Sequence, residues 1–383
     1  MEFLRVFWLK GNLELMDVNE TELSVSNSME KMKLFYEVFP YPDQSQFRYP
    51  KPQDHPLNRL EILFGPISKF HEAAKIEVNR KMGNGTSKVL KEFYRSNPPC
   101  LKSGINKILI VGCGTDEPLM YRIINPSAQL LCVDLSLKSI EIAKSKLIAH
   151  ASRLSLFRFL LLHFPIFLRK WAYQEALKNV TFLEGDAAQI LRESKTNLHD
   201  LIVCTGVLHH QPVPSLLFGA MCQALKPNGI LKLMVYTHTG RRLERGIQRK
   251  FGFIWDSLKS SKGFKSRIKL TSSFYAVLFW LSYRKYLLGG RKIADRFKYT
   301  TYSKHGVADA FLHPSDPGMC LENLIKWSKE NDLVLIHCQA RGPEGWTFGC
   351  DDKASTVFSQ FLDWEKCCQL QSNVWLHFKK KER

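Results

Sequence analysis

Between Lys107 and Tyr236 short, unbroken apolar runs alternate with stretches of helical spacing, and few folds accept that alternation. ILIV (108–111), LLCV (130–133), VTFLE (180–184), DLIVCT (200–205) and ILKLMVY (230–236) read as strands. Helices are expected after Glu117, from Ser136 to about Ile148 and across Ser215 to Leu225, with KPNG (226–229) as the turn into the fifth strand. Strands separated by helices run parallel, and strands without polar alternation are buried, so the pattern predicts an α/β fold whose parallel sheet is covered by helices. The series resumes with a helix over Leu321 to Glu330 and strands in LVLIH (333–337) and VWLHF (374–378).

Two stretches interrupt this rhythm. One, at 150–178, contains LFRFLLLHFPIFLRKW; the other starts at Thr239 and carries 16 Lys and Arg against three acids by Thr300, interleaved with aromatic rings. The whole chain has a formal charge of +19, so about two thirds of the excess lies in one sixth of its 383 residues. Upstream, residues 1 to about 30 read as a loose polar arm, and FYEVFPYPDQSQFRYPKPQDHP as an extended strap docked by its rings, because prolines this dense oppose a helix. The expected division is an N-terminal region 1–100, a core 101–238 interrupted at 150–178, a basic aromatic cap 239–313, and a completion of the core sheet at 314–383.

No run of about 18 uncharged apolar residues is present, and the N-terminus lacks the features of a secretory signal, so a cytosolic protein without a transmembrane helix is expected. Most of the ten cysteines lie in apolar runs, as small buried residues do in a reducing compartment. The pair Cys367 and Cys368 lacks any CxxC or His spacing and is expected to lie within a helix, so no metal is assigned.

The chemistry is concentrated in KILIVGCGTDEP, a glycine turn set between a buried strand and a helix. Gly112 and Gly114 allow a sharp turn and close approach of a ligand to the backbone. Asp134 closes the next strand 20 residues after Gly114, where a carboxylate can accept both hydroxyls of a ribose. Glu117 occupies the third glycine position of a dinucleotide fingerprint. Asp116 and Glu117 also make the turn acidic, a charge that repels a diphosphate and suits a sulfonium, so S-adenosylmethionine is favoured over NAD.

In order along the chain, GCGT, VDLS, FLEGDA, DLIVCTGVLHH and LKPNGILKL resemble the motifs of the class I S-adenosylmethionine-dependent methyltransferases. The resemblance implies a Rossmann-like sheet of about seven strands with a terminal antiparallel strand, and S-adenosyl-L-methionine as cofactor. It implies backbone contacts from Gly112, Cys113 and Gly114 to the methionine part, Asp134 at the ribose and Leu135 against the adenine. Asp186 and Ala187 would sit at the adenine edge, and Thr205 and Gly206 beneath the sulfonium. Asp186 is equally suited to cap the helix that follows, and Asp134 to cap the one after its strand.

His209 and His210 follow the fourth strand at its carboxyl end, where open α/β sheets bind ligands, and are the candidate catalytic residues: one could take a proton from the acceptor. The alternative is that they only shape the pocket. Tyr236, His238, His305 and His313 are candidates for the acceptor side. The basic region admits three readings: a cap closing over a small-molecule or lipid-like acceptor, a peripheral contact with anionic membrane, or a nucleic-acid surface. A non-catalytic adenosyl-binding module, an RNA methyltransferase and an aminopropyl transferase are the alternative functions. The oligomeric state is left open.

Overall fold

The computed structural model describes residues 18–41, 105–125, 127–151, 174, 177–194, 198–251, 308–310, 313–343, 345–370 and 373–382. The strap beyond Tyr41, most of the hydrophobic insertion, and the cap from 252 to 307, which includes His305, lie outside these residues.

Five parallel strands appear where the apolar runs stand: β1 (Lys107–Val111), β2 (Gln129–Asp134), β3 (Val180–Glu184), β4 (His199–Thr205) and β5 (Leu225–Val235). Along β1 successive side chains go to opposite faces. Leu109 and Val111 join one buried cluster with Phe218 and Met221, while Ile108 and Ile110 join another with Tyr121 and Cys132. A strand packed on both faces has no place for polar alternation, which is why its sequence is a continuous apolar run.

The sheet has eight strands in the order β3-β2-β1-β4-β5-β8-β6-β7. β6 (Leu333–Gly342), β7 (Gly345–Cys350) and β8 (Val374–Lys380) complete it, with β8 antiparallel to both β5 and β6. The α/β class and the antiparallel terminal strand agree with expectation; the extra strand is β7, which pairs back on β6. Its sequence, GWTFGC, follows the turn segment RGPEG and is too short and glycine-rich to stand out as a strand. KPNG falls inside the span of β5 instead of before it: Asn228 has φ of 61°, and the pairing with β4 jumps from His199↔Leu225 to Leu201↔Ile230.

The helices, in chain order, are α1 (Val18–Val38), α2 (Glu117–Ile124), α3 (Leu137–Ala151), α4 (Ala187–Glu193), α5 (Pro214–Ala224), α6 (Arg242–Phe251), α7 (Leu321–Glu330) and α8 (Ala354–Lys366). α1 corrects the expectation, over 18–38, of a loose arm and the start of an extended strap. Its 21 residues are polar on most sides, but Met32 and Phe35 are buried on one face, and Phe35 packs with Phe39 and Ala308. The helix ends at Val38 because Pro40 disfavours helical geometry at Phe39. Cys367 and Cys368 are also placed differently: both are exposed free thiols just beyond α8, Cys368 with φ of 57°. No helix among the described residues is long and apolar enough to cross a membrane.

Candidate functional site

The carboxyl ends of β1, β2 and β4 meet at a point where the sheet order reverses, since β1 is flanked by β2 on one side and β4 on the other. Crevices at such switch points are where open α/β sheets bind ligands. The turn after β1 packs closely on the loop after β4. Gly112 has φ of +61°, and a Cβ there would lie 2.2 Å from Cγ2 of Val207 in the loop after β4.

Asp134, at the end of β2, faces this turn. One carboxylate oxygen accepts the N–H of Gly114 at 2.8 Å and the other that of Ser136 at 2.9 Å. Each oxygen keeps a further lone pair, so the carboxylate braces the turn and can still receive two ribose hydroxyls. Burial raises its pKa to about 6, against the pull of those two N–H donors, so it is ionised at neutral pH. Leu135 beside it is half-buried, and the Cys113 side chain points into the core, leaving its backbone to the turn. Asp186 caps α4 by accepting the N–H of Ala188 at 2.9 Å, with Ala187 buried next to it. Thr205 and Gly206 end β4, the Thr205 hydroxyl buried beside the turn.

The acidity of the turn is smaller than its sequence suggests. Asp116 is ion-paired with Lys146 of α3, which also donates to the Thr115 hydroxyl at 2.9 Å. Glu117 is raised to about 8 by burial and is therefore mostly neutral at pH 7. Because the folded pKa lies above the unfolded value of 4.5, its contribution to stability is complete below pH 4.5 and is lost as the pH rises through 8. Glu117→Gln is expected to flatten the fall in melting temperature between pH 5 and 8.5; an unchanged slope would mean that the carboxyl ionises freely in the folded protein.

A second group of side chains gathers beyond β4 and β5. His209 and His210 form a short helical turn, both buried, and their rings lie 4.0 Å apart. Tyr236 follows β5, its ring 4.2 Å from His209, and the guanidinium of Arg241 lies over that tyrosine, 3.3 Å from the ring centre. His313 stacks on His210 at 3.8 Å. Arg241 reaches Asp309 at 3.7 Å and Asp316 at 3.3 Å, and Gln248 donates to the same Asp316 oxygen at 3.3 Å.

All three imidazoles are held below the ordinary histidine range. Burial is the main cause, reinforced for His209 and His313 by the neighbouring ring of His210 and by Arg241, and opposed for His210 by Asp316 and Asp309. They are neutral at pH 7. Of the four acceptor-side candidates, Tyr236 and His313 stand in this cluster. His238 is exposed, its Nδ1–H donated to the Pro317 carbonyl at 2.9 Å, and His305 lies outside the described residues.

The end of α1 joins the two groups. The Tyr36 carbonyl accepts the Ser136 hydroxyl at 3.2 Å, Glu37 accepts the Lys138 N–H, and the Tyr41 carbonyl accepts the Thr115 N–H at 3.1 Å. The Tyr36 hydroxyl meets Nε2 of His313 at 3.1 Å. Sequence reasoning passed over Tyr36, Arg241, Asp309 and Asp316. The last two stand in DAFLHPSD, where acids and a histidine crowd an otherwise apolar segment, and that was the available signal.

Comparison with known proteins gives a match to a family described as a methyltransferase domain over residues 167–252. An uncharacterised protein of Synechococcus sp. is 23% identical over 270 residues, covering 69% of this chain; the chain spans 56% of that relative's length. Among solved structures, PKMT2 of Rickettsia typhi is 19% identical with a TM-score of 0.44, over 73% of this chain and 50% of that one. A putative sarcosine dimethylglycine methyltransferase of Galdieria sulphuraria is 12% identical with a TM-score of 0.39, over 81% and 91%.

Proposed function

We propose that the chain is a class I S-adenosylmethionine-dependent methyltransferase, in keeping with the methyltransferase-domain match at 167–252, and that it transfers a methyl group to a small-molecule or lipid-like acceptor held by the cluster at His209, His210 and Tyr236. The observation that carries this reading is the adjacency of the two groups of residues. Val207 packs over Gly112, and the next three residues supply the buried histidines.

The residues of the first group fit the cofactor. Gly112 turns the chain at positive φ with no side chain on the turn, and Asp134 offers lone pairs in a buried place. When bound, S-adenosylmethionine supplies a methyl group already activated on a sulfonium. What remains for the chain is positioning, exclusion of water, and a place for any proton the acceptor must lose. His210 is suited to receive that proton. Its Nδ1 lies 2.6 Å from the Ser315 carbonyl, which can only accept, so the ring proton stays there and Nε2 is left with a lone pair. Tyr236 and His313 pack against its ring.

Calorimetric titration with S-adenosylmethionine and, separately, with NAD tests the cofactor reading. Binding of the first and not the second is expected, and the reverse would overturn it. Transfer of labelled methyl to an acceptor fraction then separates an enzyme from a module that only binds the adenosyl ligand.

A further inference from the structure

Three polar side chains in the acceptor cluster present a definite pattern of protons and lone pairs. Nδ1 of His209 accepts the backbone N–H of Tyr236 at 3.3 Å, so the neutral ring carries its proton on Nε2. That Nε2 is buried and has no hydrogen-bond partner among the described residues. Asp316 spends Oδ2 on Arg241 and Gln248, while its Oδ1 is buried and likewise unpartnered there. His210 keeps its lone pair on Nε2. Candidate ligand atoms of these three residues lie within 4.8 Å of one another. A buried polar atom left without a partner is costly and calls for an explanation, a received ligand group being one.

Building on the reading of the cluster as the acceptor pocket, we infer that the reacting group is a hydroxyl oxygen seated between His209, His210 and Asp316. The group must accept a hydrogen bond from His209 and donate one to Asp316 or His210. Two histidines and a carboxylate at this spacing also suggest a divalent metal, but a metal ion would face the His209 proton. An ammonium group has no lone pair for His209, and a carboxylate has no proton for Asp316. A neutral amine has one lone pair, which cannot both accept from His209 and attack carbon. A hydroxyl has two lone pairs and one proton, so it accepts from His209, donates to His210 and keeps a pair for the reaction.

The step then balances without a further reactant. The hydroxyl oxygen forms a bond to the methyl carbon, the carbon–sulfur bond breaks with its electron pair remaining on sulfur, and the hydroxyl proton passes to Nε2 of His210. An uncharged ether and an imidazolium flanked by Asp316 result. In this account Asp316 is a positioning residue that acts through His210, favouring its charged form.

Two-bond proton–nitrogen correlation spectra of the full-length protein with labelled imidazoles test the pattern directly. The expected result is a protonated Nε2 on His209 and a protonated Nδ1 on His210, the resonances assigned with single His→Asn variants and, should a variant not fold, by histidine-selective labelling with through-space contacts. Nδ1 protonation of His209, or zinc chloride binding that displaces its Nε2 proton, would overturn the inference in favour of a metal site. The adenosylhomocysteine-loaded protein is next titrated with benzyl alcohol, benzylamine and benzoate, and the spectra are followed at both rings. Benzyl alcohol should bind roughly tenfold more tightly than the other two, the effect of one mismatched buried hydrogen bond; any other order, or no binding by all three, overturns it. Failure of the underlying reading appears separately, as absence of adenosylhomocysteine binding in calorimetry while the tautomers stand as described.

Discussion

Asp134→Ala should reduce affinity for S-adenosylmethionine by two to three orders of magnitude or more while the protein still folds. Two charge-assisted hydrogen bonds to a ligand are worth roughly 1.5–3 kcal/mol each, and 1.4 kcal/mol is a factor of ten. The variant also loses the brace between β2 and the turn, since the N–H of Gly114 and that of Ser136 both donate to this carboxylate. Asp134→Asn separates the two effects, because its carbonyl oxygen can keep one of those bonds but cannot provide the charge. Calorimetry on all three proteins, with melting curves to check the fold, is the measurement. Wild-type affinity in the alanine variant would remove Asp134 from the ribose. For the wild type, affinity should weaken as the pH falls through about 6, where the carboxylate takes up a proton.

The second large effect is expected at His210. His210→Ala should lower kcat by about 10² to 10⁴, the usual contribution of a positioned acid or base, and leave cofactor affinity within about twofold. Because burial holds the imidazole below the ordinary histidine range, the acid limb of the wild-type rate profile should lie below the usual value of 6.5. A variant with unchanged kcat would reduce the ring to a wall of the pocket. His209→Ala tests a different role, since its Nδ1 supports the Tyr236 backbone and its loss should disturb KM as well.

How much of this was legible in the sequence follows from the range over which each feature is encoded. β1, β2, β4 and β5 could be read from the chain because burial on both faces leaves a local signature of about four to seven apolar residues, whereas β3, half-exposed at the sheet edge, is marked by its β-branched and aromatic residues. The glycine turn and Asp134 could be read because a strand and the helix after it fix their spacing to 20 residues. α1 was missed because its buried face rests on a few residues such as Met32 and Phe35, set among polar neighbours and just before a run of prolines. The acceptor cluster was half visible. His209 and His210 stand at a strand end, but Asp316 arrives from 75 positions beyond Arg241 and over 100 beyond His210, a separation that no local pattern records. The charge of the glycine turn was overestimated for the same reason: Lys146, which neutralises Asp116, lies 30 residues away on another helix.

The end of α1 touches Ser136 and Thr115 on one side and His313 on the other, so a single element is a shared boundary of both ligand spaces. Whatever free energy one ligand spends in ordering that boundary is saved by the other, and thermodynamic linkage makes the saving mutual. The adenosyl ligand should tighten acceptor binding by some factor, and the acceptor should tighten adenosyl binding by that same factor. Tyr36→Phe, which removes the hydrogen bond to His313, should bring both factors towards one together, and a change in only one of them would show that α1 does not carry the coupling.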